Sequence, residues 1–318
     1  MRRRIAARLL ESIVVTFIVA TISFFAIRTA PGDPFSYERP LPPAMRDSLR
    51  AQFGFNRPIP EQYVRYLANV ARGNFGWSFG KGAPVRDVIA TALPRSMLLA
   101  GIALALSFVL GGVLGVLQAA RGGWFDRLTS SVLIFLYSVP DFWAALVIMT
   151  VFTLWWRLLP SGGMVDMVLH DYMPAWTAFI DRVKHLVLPA VSLTVLSLAG
   201  VARYQRAAML EVLPSDFIRT ARAKGVSDRG VIWRHALRNA LTPMVTIFGL
   251  MLPAFLGGAV FVERVFQWPG LGSLATDAVA GRDYDLVTAT IVIGAIAVVI
   301  GNLIADLLHF AIDPRIRE

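Results

Sequence analysis

Apolar residues in this chain run in long unbroken stretches, unlike the one-sided or alternating patterns of water-soluble elements. Six stretches, about 9–27, 97–119, 128–156, 186–202, 241–262 and 286–307, come near or exceed the span requirement. That requirement is ~20 residues for a helix crossing the ~30 Å hydrocarbon layer. Inside a bilayer such stretches fold as helices, because an unpaired backbone group finds no water there. The predicted fold class is all-α: a polytopic membrane protein with six transmembrane helices. Residues 28–95 are too many for a plain connection. They open on the turn former Pro31-Gly32-Asp33-Pro34 and then show helical stretches over 43–53 and 58–71. In the second, Tyr63, Tyr66, Leu67 and Val70 recur at helical spacing. This segment reads as a small folded external subdomain after the first helix. The division is 1–27 for the N-terminus and first helix, and 28–95 for the subdomain. Residues 96–312 form the transmembrane domain, with an inner-side loop at 203–240, and 313–318 form a tail.

The third stretch carries Pro140-Asp141 in its interior. Proline removes a backbone donor and kinks a helix, and an intramembrane carboxylate is costly enough to suggest a function. Two readings stand: a functional lining residue, or a kink whose freed backbone groups Asp141 satisfies. Trp155 and Trp156, followed by Arg157, look like an interfacial aromatic belt. The segment Glu263 to Gly272 holds a Pro269-Gly270 turn with aromatics on both sides, which fits either a re-entrant or interfacial element anchored at the membrane surface or a plain surface turn.

Composition agrees with the pattern: 56% hydrophobic residues and 16% charged, against roughly 25% charged in a soluble protein. Cysteine is absent, which removes disulfides and thiolate chemistry. The net charge of +10 would suggest nucleic acid in a soluble protein. Its placement assigns it to sidedness instead, and no nucleic-acid partner is expected. Basic residues crowd the N-terminus, the loop at 121–127, the loop at 203–240 and the tail. The short loops opposite hold few, among them Arg182, Lys184, Arg264 and Arg282. By the positive-inside rule both termini are cytoplasmic. The basic start has the outline of a signal peptide. Its apolar run is long for one, and Arg28-Thr29-Ala30-Pro31 is a poor cleavage site, so an uncleaved first span is expected. His170 and His185 fall outside any span, and no paired nucleophile and base emerges.

The loop at 203–240 carries the functional argument. Ser215 can cap a helix formed by Asp216, Phe217, Ile218, Arg219, Thr220, Ala221, Arg222, Ala223 and Lys224. Gly225 supplies its left-handed stop. Ser227 can cap a second helix over 228–241, with Ile232, Ala236, Leu237 and Ala240 on one face. A helix of about nine residues is marginal alone in water, so something must dock on it. Phe217, Ile218 and Ala221 form a small apolar face among basic residues, suited to a groove on a partner. A loop resting on anionic headgroups fits the same charges.

The run Arg219 to Gly225, nine residues, then His235-Ala236-Leu237-Arg238-Asn239-Ala240-Leu241 resembles the EAA loop of ABC-importer permeases. Arg219-Thr220 stands where the general pattern has Glu-Ala, as in the dipeptide, oligopeptide and nickel branch. The resemblance extends along nearly the whole chain to the B-type subunit of that branch. It includes Phe53-Gly54-Phe55-Asn56-Arg57-Pro58, Gly73-Asn74-Phe75-Gly76-Trp77-Ser78, Ser138-Val139-Pro140-Asp141-Phe142-Trp143 and Asp313-Pro314-Arg315-Ile316-Arg317.

The resemblance implies the type I ABC importer permease fold. It also implies a transmembrane permease subunit of an ATP-driven importer of di- and oligopeptides, in a bacterial plasma (inner) membrane. The implied partners are a second homologous (C-type) permease, two ATP-binding subunits, an external substrate-binding protein and the lipid bilayer. Asp216 to Gly225 would be the coupling helix to an ATPase. Pro140 and Asp141 would be a kink or part of the translocation path. The external subdomain would be a dock for the binding protein. ATP and Mg would be bound by the partner subunits. This chain has no P-loop, so no cofactor, metal or catalytic residue is expected in it. Nickel, glutathione or oligosaccharide cargo fits the same class. A secondary transporter or a channel is the different-class alternative.

Overall fold

The computed structural model describes residues 2–29, 42–52 and 54–312. The expected turn at 31–34 and the tail at 313–318 lie outside the described residues. The chain divides into two compact units: Met1–Ser96 with Pro269–Val299, and Met97–Trp268 with Ile300–Glu318. This groups the chain differently from the linear division at 95/96, because a late segment packs onto the early one.

The first unit contains α1 (Arg2–Arg28), α2 (Pro43–Gln52), α3 (Ile59–Ala71) and a two-stranded antiparallel hairpin, β1 (Trp77–Ser78) with β2 (Ala83–Pro84). The start of α4 (Val85–Arg121), α12 (Leu271–Ala280) and the first half of α13 (Tyr284–Ile312) complete it. The periodic tyrosines of α3 seat it on α1. Tyr66 stacks on Phe24 at 5.0 Å between centroids, and the Tyr63 hydroxyl lies 2.7 Å from Thr21 Oγ1. Val85, Ile89 and Ala92 of α4 pack against Leu271 and Leu274 of α12 and Leu286 of α13. Asp283 ties the hairpin to this core. It is 3% exposed and accepts hydrogen bonds from Ser78 Oγ (2.6 Å), Gly80 N (3.1 Å) and Leu286 N (3.3 Å), the last capping α13. Arg28 ends α1 under the Phe55 ring, 4.3 Å from its centroid, and pairs with Asp285 at 3.6 Å. On α3, Glu61 pairs with Arg57 and Arg65, and the hydrogen bond from Arg57 holds its carboxyl below the usual range.

The second unit contains the rest of α4, then α5 (Gly123–Ser138), α6 (Asp141–Met149) and a π-helical turn Thr150–Trp155. It continues with α7 (Ala175–Val212), α8 (Asp216–Ala223), α9 (Asp228–Gly230), a second π-helical turn Val231–Ala236, α10 (Leu237–Gly258) and α11 (Val260–Val265). Leu99, Ala103, Leu188, Phe255, Phe266 and Trp268 belong to its main core. Phe266 and Trp268 are 0% and 1% exposed, so the aromatics read as interfacial anchors are core residues instead. The chain doubles back after α11 and turns both rings inward. Trp155 and Trp156 do stand exposed. Helices α4 and α7 touch at Gly115, where a Cβ would meet the Ala202 carbonyl at 2.5 Å.

Among the described residues four helices are long and apolar enough to cross a membrane: Leu10–Arg28, Val85–Arg121, Ala175–Val212 and Tyr284–Ile304. The expected third span is not one helix. It breaks at Val139-Pro140, and the two halves meet at 104°. The fifth expected span is helical over Leu237–Gly258.

Candidate functional site

The loop after α7 folds as its caps dictate, with one exception. Helix α8 starts after Ser215, but the Ser215 hydroxyl turns back and donates to the Val212 carbonyl at 2.6 Å. The expected side-chain cap is therefore not made. At the other end the stop is complete. Gly225 takes φ +75°, Gly225 N donates to Arg222 O (2.9 Å) and Val226 N to Ala221 O (3.2 Å). These two bonds satisfy carbonyls that the helix end would otherwise leave open. Ser227 caps α9 as expected, accepting from Gly230 N at 3.3 Å.

The faces of α8 differ from the expectation. Ile218 is fully buried and Ala221 is 7% exposed, both inside this chain's own core. They pack in one cluster with Val116 of α4, Ala208 and Met209 of α7, Val231, and Ala236 and Ala240 at the entry to α10. The short helix is thus seated by its own chain. Residues three apart share a helix face, so one inward stripe takes both Ile218 and Ala221. Phe217 points elsewhere and is 44% exposed. Around it, Asp216, Arg219, Thr220, Arg222, Ala223, Lys224 and Gly225 are exposed. Their ion pairs, Arg219–Asp216 at 3.4 Å and Arg222–Asp228 at 4.0 Å, are solvated and contribute little. The outward surface is a basic short helix with one aromatic ring, and its base joins three long helices.

Pro140 forms the N-cap of α6 with ψ 137°, and Asp141 is the first helical residue, exposed. A carboxylate there complements the positive end of the helix. Pro140-Asp141 sits far along the chain from α8, in the broken span.

Two clusters escape sequence reading. Arg206 of α7 holds Asp126 of α5 through two hydrogen bonds of 2.6 Å, across 80 residues. His170 and His185, for which the sequence offered no pairing, both meet Asp181: Nδ1 of His170 at 2.7 Å from Oδ2 and Nδ1 of His185 at 3.1 Å from Oδ1. The Asp181–His185 spacing of four was the signal for half of that cluster. The other half depends on the loop closing. Asp166 in that loop accepts from Leu169 N and Val168 N, which hold its carboxyl below the usual range.

Two family models cover the chain. "Binding-protein-dependent transport system inner membrane component" matches residues 107–318, and the corresponding N-terminal membrane component matches 1–100. The oligopeptide transport system permease protein AppB of Bacillus subtilis is 39% identical over 318 residues, covering 98% of each chain. The oligopeptide transport system permease protein OppB of Haemophilus influenzae is 39% identical over 323 residues, covering all of both. The di/tripeptide transport system permease protein DppB of Pseudomonas aeruginosa is 38% identical over 330 residues, covering 98% of each. Among solved structures, an inward-facing form of the MetNI methionine ABC transporter superposes with TM-score 0.57 at 18% identity, over 71% of this chain and 96% of that one. That likeness concerns the fold, and it agrees with a many-helix membrane protein. Matched along both family models and end to end by these relatives, the chain belongs to the binding-protein-dependent transport system inner membrane components, the permeases of ABC importers.

Proposed function

We propose that this chain is one of two homologous permease subunits of an ATP-driven peptide importer. The observation that carries the reading is end-to-end identity of 38–39% to permeases named for oligopeptides and di/tripeptides. Two ATP-binding subunits would complete the assembly on the inner side of a bacterial plasma membrane, with both termini on that side. An external binding protein would deliver cargo. ATP and Mg belong to the ATPase subunits.

The geometry supports a specific coupling route. Phe217 and the exposed basic residues of α8 face outward to a groove on an ATPase. Ile218 and Ala221 anchor the same helix to α4, α7 and the start of α10. Movement of the ATPases, drawn together by ATP, is passed to three long helices at once. Pro140 and Asp141 at the broken span serve as a hinge or lining of the path.

The test is ATP-dependent uptake of a labelled peptide by vesicles holding the co-purified complex. Phe217→Asp is expected to cut ATPase co-purification by about tenfold, as removal of an anchor ring does. Undiminished co-purification would refute the docking face. Uptake that ignores ATP would refute the class.

A further inference from the structure

We propose that Arg206 and Asp126 are positioning residues for coupling: through them, movement of α8 reaches α5 and the broken span. The proposal rests on the coupling reading above and extends it to a helix outside the seat of α8.

The cluster that seats α8 draws on α4, α7 and the entry to α10, and among the described residues it holds none from α5. Yet α5 is the helix that leads into the break at Val139-Pro140. Its only buried side chain among the described residues is Leu133, which packs on Ala199 and Ala202 of α7. Apolar packing is non-directional. One such contact keeps two helices close but leaves α5 free to rotate or slide about it.

The first turn of α5 removes that freedom. Arg206 Nε and Nη2 donate to Asp126 Oδ1 and Oδ2, each at 2.6 Å. A planar fork on a carboxylate fixes direction as well as distance. Oδ1 also accepts from Ser130 Oγ at 3.3 Å. Gln118 Nε2 of α4 donates in turn to Ser130 Oγ (3.2 Å) and Thr129 Oγ1 (3.0 Å). Two of the helices that seat α8 therefore grip α5 at one turn.

The path from α8 to that turn is short. Residues 213–215 alone separate α7 from α8, and Ala208 and Met209 of α7 pack in one cluster with Ile218 and Ala221. Arg206 lies three residues before Met209, about 4.5 Å of helix. On the other side, Asp126 to Ser138 is about 18 Å of α5, after which the span turns through 104°. An arm held at its first turn converts a small tilt there into a larger shift at the break.

The test uses the whole importer, with its ATPases and binding protein, in lipid vesicles with labelled Ala-Ala. Arg206→Gln and Asp126→Asn are each expected to lower the peptide imported per ATP hydrolysed by about 3- to 30-fold. Arg206→Lys, which keeps the charge and loses the fork, is expected to fall in between. Co-purification of the ATPases and their rate of ATP hydrolysis are expected to stay at the wild-type level. This chain has no cysteine, so spin labels at Phe135→Cys and Leu210→Cys, both exposed, report the α5–α7 spacing. With Arg206 and Asp126 in place, that distance is expected to be the same with and without ATP and vanadate. In Arg206→Gln it is expected to shift or broaden. A wild-type import ratio in Arg206→Gln would overturn the proposal. So would a label distance that changes with ATP while the pair is intact, or one that Arg206→Gln leaves untouched. Lost co-purification in all three variants would overturn it in favour of a purely structural tie. Normal import by Phe217→Asp would overturn the coupling reading itself, and this inference with it. A wild-type complex that imports no Ala-Ala would overturn only the peptide reading, and the label distances would still decide the link.

Discussion

Replacing Ile218 by alanine tests how the short helix α8 is held. At eight residues it is well below the length at which a helix is stable alone in water. It has no side-chain cap at Ser215, and its exposed ion pairs contribute little. Ile218, fully buried, and Ala221 are therefore its main attachments. Truncating a buried isoleucine to alanine costs about 2–4 kcal/mol. Nearly all of that falls on local opening, because α4, α7 and α10 have cores elsewhere. At 1.4 kcal/mol per tenfold, that is about 30-fold to several hundredfold faster exchange. The amides to follow are those hydrogen-bonded inside the helix end, such as Lys224 N to Thr220 O at 3.0 Å and Val226 N to Ala221 O at 3.2 Å. Hydrogen exchange by mass spectrometry on the purified permease reads them directly. Peptides from α7 serve as the internal control and are expected to keep their protection. A change in α8 below about threefold would mean that contacts other than Ile218 hold the helix, and the anchoring argument would fail.

Further outcomes follow from the same reasoning. A Cβ added at Gly225 meets no atom within 4 Å, so the main cost of Gly225→Val is the left-handed backbone, about 1–2 kcal/mol. The ratio of peptide transported to ATP hydrolysed is expected to fall, and an unchanged ratio would count against the turn's role in coupling. Asp283→Ala removes a helix cap and two further hydrogen bonds from a buried position, about 3 kcal/mol together. A lower thermal midpoint is expected, with Asp283→Asn in between; a midpoint equal to wild type would show the hairpin tie to be dispensable.

Much of this protein was legible in local pattern. Long apolar runs imply membrane helices because lipid offers the backbone no alternative partner. The tyrosines of α3 announced a packed face by their spacing, and they meet Phe24. Gly225 and Ser227 announced the ends of α8 and α9 because caps are chosen by the chain within a few residues. Other features depend on which distant segments meet, and periodicity is silent on that. Tertiary packing turned Ile218 and Ala221 inward and left Phe217 outside, although all three looked alike as an apolar face. It buried Phe266 and Trp268, joined Asp126 to Arg206, and gathered two histidines around Asp181. The chain's local chemistry determined the helices, their ends and their medium. Only the fold decided which side of each helix is spent on its own core and which is left for others.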